Sequence, residues 1–126
     1  MRFGVSVTVS SGLAFTPLAA TPSYNASKAA IHLLSESIRL QLADTTVKVV
    51  ELVPPSVRTP LLPGHEDNEA GMPLDEFIAE VMALLEAQPD AKEIQVERVK
   101  FLRYGEARGD YDQVVAALNA SDPHGR

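Results

Sequence analysis

The sequence predicts an α/β fold built from about three parallel strands with flanking helices. Two observations carry that expectation. The apolar period switches between two and 3.6 along the chain, and strand-type segments are separated by helix-type ones, the order of parallel strands joined by crossover helices. Composition agrees, because 126 residues with 45% hydrophobic and 22% charged side chains suit one globular domain.

The first strand is expected over residues 3–11, where Phe3, Val5, Val7 and Val9 alternate with Gly4, Ser6, Thr8 and Ser10. Gly12 and the stretch from Thr16-Pro17 to Thr21-Pro22 read as a loop. A helix follows over 23–42. Ile31, Leu34, Ile38 and Leu42 form one apolar stripe on it, and Ala26, Ala29, Ala30 and Leu33 form a second beside the first. That surface is wider than one sheet needs, so the helix is expected to face a second helix or subunit as well. Residues 47–53 make the next strand, stopped by Pro54-Pro55. Residues 56–72 lack periodicity and carry Pro60, Pro63, Gly64 and Gly71, as expected of a lid, a binding loop or a disordered connection. Pro73 opens a second helix, with Leu74, Phe77, Ile78, Val81, Met82 and Leu85 at helical spacing and Asp75 and Glu76 in the first turn. Gln88-Pro89-Asp90 ends it. Ile94, Val96 and Val99 suggest a short third strand region, and a last helix places Tyr111, Val114, Val115 and Leu118 on one face before the polar tail Ser121 to Arg126.

Charge and cysteine usage narrow the functions available. Seventeen acidic against 11 basic residues give a net charge of −6 with no basic run, so neither nucleic acid nor an anionic membrane is an expected partner. The absence of cysteine excludes disulfides, thiolate nucleophiles and zinc–cysteine sites. No metal is expected: His65, Glu66, Asp67, Asn68 and Glu69 read as a solvated acidic loop, His124 as part of the tail, and His32 as a packing or surface residue. No stretch approaches the roughly 20 apolar residues of a membrane span, and the N-terminus is too short and too polar for a signal peptide. A cytoplasmic location is expected.

The residues able to do chemistry lie in Val9-Ser10-Ser11-Gly12 and Tyr24-Asn25-Ala26-Ser27-Lys28. Tyr24 and Lys28 stand at i and i+4 at the start of a helix, so their side chains share one face a turn apart. Ser11 ends the first strand at the carboxyl edge of the sheet, where ligands of open α/β sheets bind. A free tyrosine, with a pKa of about 10, is a poor acid or base near neutrality, and a neighbouring ammonium favours its phenolate. A hydroxyl, a phenol and an ammonium gathered there suit proton transfer to or from a substrate oxygen, whereas a hydride must come from a cofactor. Taken singly the same residues are ordinary: Tyr24 packs at a helix start, Lys28 is solvated and the serines form a turn.

The combination and its order resemble the carboxyl-terminal half of a short-chain dehydrogenase/reductase, a Tyr-x-x-x-Lys family. The resemblance implies a partial Rossmann-like, doubly wound fold and an NAD- or NADP-dependent oxidoreductase acting on an alcohol or carbonyl substrate. It implies that Ser11 orients the substrate oxygen and Tyr24 is the catalytic acid/base. Lys28 would lower the tyrosine pKa and bind the nicotinamide ribose. Pro54-Pro55-Ser56-Val57-Arg58-Thr59 resembles the family's Pro-Gly motif, so the main chain of Val57 and the side chain of Thr59 would contact the nicotinamide carboxamide. Here Pro55 replaces the family's glycine, removing an N–H. The Gly-rich turn of the family's nucleotide-binding half is not found among the seven glycines. Residues 1–126 are therefore expected to be a single incomplete Rossmann-like domain, a truncated catalytic half. The alternative reading is a non-catalytic relic that self-associates through helix 23–42, the helix the family uses in subunit contacts. A homo-oligomer is expected in either case.

Overall fold

The computed structural model describes residues 4–60 and 69–120. Strands β1 (Val5–Val9), β2 (Lys48–Val53) and β3 (Glu93–Gln95) form one parallel sheet in the order β1-β2-β3. Val5 stands opposite Lys48 and Val9 opposite Leu52, while Glu51 to Val53 pair with Glu93 to Gln95. Helix α1 (Pro22–Gln41) joins the first two strands and α2 (Leu74–Ala87) the second two. Three further helices follow: α3 (Lys100–Arg103), α4 (Gly105–Arg108) and α5 (Tyr111–Ala120). The expected three parallel strands with flanking helices are present. No helix among the described residues is long and apolar enough to cross a membrane.

Side-chain alternation divides the sheet into two unlike faces. Val50 and Leu52 of β2 join Phe77, Val81 and Leu84 of α2 and Ile94 of β3 in the hydrophobic core. The register puts Val5, Val7 and Val9 of β1 on that same face, yet they remain 57%, 55% and 45% exposed because α2 packs over β3. The opposite face, under α1, is mixed, with the buried side chains of Val49 and Val53 flanking polar groups. Thr8 Oγ1 lies 2.7 Å from Ser35 Oγ, and Ser35 is fully buried. Glu51 is fully buried on this face too.

This polar seam explains where the helix pattern departs from expectation. The stripe through Ile31, Leu34, Ile38 and Leu42 is not buried as a unit: Leu34 is 52% exposed and the fully buried position is Ser35. A helix that covers Thr8, Ser10 and Glu51 must bring polar partners to them, since buried polar groups need hydrogen bonds. Its apolar residues turn outward as a result: Leu33 and Leu40 are 62% and 78% exposed. At the far end of α1, Arg39 donates to Val49 O (3.3 and 3.2 Å) and Lys92 O (3.1 Å), tying the last turn to β2 and the approach to β3.

The third strand is shorter than expected. Val96 and Val99 are fully buried but lie in and beside a 3-10 turn, Glu97–Val99. Their apolar spacing reflects core packing, and the turn is held by Glu80 of α2, whose Oε2 accepts from Glu97 N–H at 2.6 Å. Helices α3 and α4 are four residues each, too short to show a helical period. Arg103 on α3 joins this region to β3. It makes two 2.9 Å hydrogen bonds to the Glu93 carboxylate and lies 4.0 Å over the Phe15 ring. Residues 61–68, in the expected loop, and the tail from Ser121 lie outside the described residues.

Burial pushes the Glu93 carboxyl up, but hydrogen bonds from Arg103 and Gln95 and the guanidinium charge outweigh it and hold the group below its ordinary value. A carboxylate held low in the folded state contributes stability above the ordinary carboxylate range and loses it as pH falls through the folded value. Glu93→Gln is thus expected to cost about 1–2 kcal/mol near neutrality in urea unfolding, with the gap to the parent closing on acidification. A gap that is constant with pH refutes the assignment. Gly12 meets a second constraint: a Cβ there would come within 2.8 Å of Leu102 Cδ1 and 3.0 Å of Val99 Cγ2. Gly12→Ala is expected to destabilise by about 1–3 kcal/mol through overpacking, read as a lower denaturation midpoint at unchanged slope.

Candidate active site

Strand β1 delivers Ser10 and Ser11 to the carboxyl edge of the sheet. Ser10 N–H donates to Leu52 O at 2.9 Å and Gly12 N–H to Pro54 O at 3.0 Å, so the Ser-Ser-Gly turn and the Pro54-Pro55 segment run side by side there. Ser11 is buried, and its Oγ accepts from Leu13 N–H at 3.1 Å, capping the 3-10 turn Gly12–Ala14. Its hydroxyl hydrogen is left to donate elsewhere.

The start of α1 is fixed by polar contacts rather than by apolar packing. Pro22 occupies the first turn, where its missing N–H costs nothing. Asn25 Nδ2 donates to Leu18 O at 2.8 Å and its Oδ1 accepts from Thr21 Oγ1 at 2.9 Å. From the other end of the chain, Asn119 of α5 donates to Pro17 O (3.0 Å) and accepts from Ala19 N–H (2.8 Å). The loop that aims Tyr24 is therefore pinned on both sides.

Tyr24 is 42% exposed, and Lys28 lies one turn on, with Nζ 5.5 Å from the Tyr24 ring centroid. The same Nζ donates to Val9 O at 3.1 Å, which places the ammonium at the end of β1, two residues before Ser11. The structure thus gathers Lys28, the Tyr24 ring and the strand end. Among the described residues no hydrogen bond joins Ser11 to Tyr24; the serine oxygen engages its own turn. Val57 pairs with Met72 in an isolated parallel bridge, with Arg58 N–H donating to Met72 O (2.9 Å) and Met72 N–H to Ser56 O (2.8 Å). In that ladder Val57's own N–H and C=O point to the opposite side of the segment, free of the bridge. Thr59 is partly buried close by in sequence.

One group of residues carries roles not anticipated. Ser10 Oγ donates to Glu51 Oε2 at 2.5 Å, and His32 Nδ1 lies 2.8 and 3.1 Å from the two Glu51 oxygens. His32 Nε2 lies 3.2 Å from Glu36 Oε1, and the Phe15 ring meets the imidazole edge-on at 4.7 Å. The signal was present in the sequence: Glu51 interrupts the apolar run Val49 to Val53, where a charge is never idle, and His32 follows Lys28 by one more turn. His32, Glu51 and Glu93 offer ligand atoms within 4.8 Å of one another. Both carboxylates already accept from protein donors, Glu51 from Ser10 and His32 and Glu93 from Arg103. A cleft of about 610 Å³ lies alongside, lined by Phe15, Ala29, His32 and Arg103, and it does not include Ser11, Tyr24 or Lys28.

The short chain dehydrogenase family model matches residues 2–70. The chain is 40% identical over 121 residues to the uncharacterized oxidoreductase DltE of Bacillus subtilis, covering 92% of this chain and 46% of that protein. It is 33% identical over 86 residues to an uncharacterized oxidoreductase of Staphylococcus epidermidis, covering 68% and 37% respectively. Among solved structures, a short chain dehydrogenase from Burkholderia cenocepacia in complex with NADP superposes with a TM-score of 0.72 at 26% identity, over 90% of this chain and 48% of that one. The chain spans about half the length of the curated relatives it matches or less. With over half of its residues matched by the family model, and the parallel sheet that such a match requires, the chain belongs to the short-chain dehydrogenase family.

Proposed function

We propose that this chain is the catalytic half of an NAD- or NADP-dependent oxidoreductase that interconverts an alcohol and a carbonyl compound, working with a nucleotide-binding half. The observation that carries the reading is the Lys28 ammonium, 3.1 Å from Val9 O at the sheet edge and 5.5 Å from the Tyr24 ring. The residues fit the cofactor. Lys28 has further N–H donors for a ribose hydroxyl, the main chain of Val57 faces away from its bridge, and Thr59 follows on the same segment for the carboxamide. Reduced NAD or NADP, when bound, supplies hydride to the carbonyl carbon. Ser11 donates its hydroxyl hydrogen to the substrate oxygen and orients it. Tyr24 then delivers its phenolic proton to that oxygen, and the Lys28 charge favours the negative charge growing on the phenol. Alcohol oxidation runs the same transfers backwards.

The outer face of α1, with Leu33, Leu34 and Leu40 exposed, is proposed as a self-association surface. The protein is proposed to act in the cytoplasm on a small molecule. The relic reading has no feature in its favour that the catalytic one lacks.

Fluorescence titration with NADH and NADPH of the chain joined to its nucleotide-binding half is expected to show binding at about micromolar concentrations; no binding at millimolar cofactor would sink the catalytic reading. In the polypeptide that shows turnover, Tyr24→Phe is expected to lower kcat by about 100-fold or more while cofactor affinity changes little. Retention of most of the rate removes Tyr24 from its role. Sedimentation is expected to show a dimer or larger, and Leu33→Glu with Leu40→Glu to reduce it to monomer; a monodisperse parent monomer overturns the association surface.

A further inference from the structure

Tyr24, Lys28 and His32 stand at successive positions four apart on α1, so they form a single stripe along one side of the helix. The first two reach the proposed reaction site. The third reaches Glu51, a carboxylate with no exposed surface. A carboxyl group there is tolerated only with donors aimed at it, and it has two: the Ser10 hydroxyl at 2.5 Å and His32 Nδ1 at 2.8 Å. Because a carboxylate only accepts, Nδ1 is the donor in that pairing. Ser10 directly precedes Ser11. A continuous chain of contacts therefore runs from Ser11 through Ser10, Glu51 and His32 into the helix, and back along one face to Lys28 and Tyr24.

We propose that His32 and Glu51 are positioning residues: through Ser10 they lock the helix stripe bearing Lys28 and Tyr24 to the strand end bearing Ser11. The proposal rests on the reading that those three residues are the reacting groups. The geometry favours it over a plain stability role. Among the described residues, apart from Arg39 at the far end and the hydroxyl pair of Thr8 and Ser35, the polar ties between α1 and the sheet are Lys28 to Val9 O and His32 to Glu51, one turn apart. Losing the second leaves Lys28, among the described residues, as the one polar tie between the catalytic end of α1 and the sheet. The Glu36 contact is dispensable by the same logic, since that carboxylate is 51% exposed and touches only the far nitrogen.

Competitive acetylation of the purified chain with trace acetic anhydride, read by mass spectrometry as the labelling of Lys28 relative to Lys92, tests this without any turnover. An amine held on Val9 O reacts slowly. His32→Leu and Ser10→Ala are each expected to raise the Lys28 to Lys92 ratio by about fivefold, the equivalent of roughly one hydrogen bond, well below their melting temperatures. His32→Asn, whose amide nitrogen sits where Nδ1 does, is expected to restore the parent ratio despite losing the Glu36 contact. A role in stability alone would lower the melting temperature and leave the ratio where it was. An unchanged ratio in Ser10→Ala, or no rescue by His32→Asn, overturns the proposal, and Ser10→Ala decides it if His32→Leu does not fold. Cofactor titration and Tyr24→Phe test the catalytic reading separately, so either can fail without the other.

Discussion

A single buried carboxylate governs how the main helix sits on this sheet. Glu51 occupies the middle of β2 with no access to water, and a charge in that place forces its neighbours to be donors. The requirement propagates in both directions. It makes Ser10, just past β1, and His32 of α1 polar, and it accompanies the Thr8 to Ser35 hydroxyl pair two residues back along the chain. The interface between helix and sheet becomes a row of hydrogen bonds set beside the buried side chains of Val49 and Val53. Hydrogen bonds are directional, so such a layer holds the helix at one rotation and one height, whereas apolar surfaces slide more readily.

That directionality matters because the proposed chemistry spans two elements. Ser11 belongs to the strand end and Tyr24 and Lys28 to the helix, and proton transfer between groups on separate elements requires their spacing to hold within a few tenths of an ångström. Much of the apolar core lies on the other face, where α2 meets β2 and β3, and Val53 joins it from the helix side. The Asn25 and Asn119 contacts extend the same polar scheme to the loop that introduces Tyr24.

Much of this was legible from residues alone, for identifiable reasons. The first two strands announced themselves by β-branched runs closed by glycine or proline, and α2 by a clean 3.6 period. The spacing of Tyr24 and Lys28 put both on one helix face, and the structure keeps them there with Nζ beside the ring. What escaped was everything that depends on which face is polar. Hydrophobic periodicity grouped Leu34 with Ile31 and Ile38, yet Ser35 is the buried residue of the helix, because the pattern registers only apolar contacts. His32 was read as bland since its partner lies nineteen residues away on another element, a pairing no local pattern encodes. Val96 and Val99 look like strand residues because burial, whatever the backbone, selects the same side chains.

The exposed row of Val5, Val7 and Val9 lies on a strand that pairs with β2 on one side only among the described residues. The stretch from Phe3 to Phe15 contains no charged side chain and no proline. Strands with that combination act as templates for intermolecular cross-β growth unless something blunts them with lysine, proline or a bulge. In the isolated chain, colloidal stability therefore hinges on five residues at the margin of the sheet, and the net charge of −6 spread over the remainder is the main force opposing fibril seeding there.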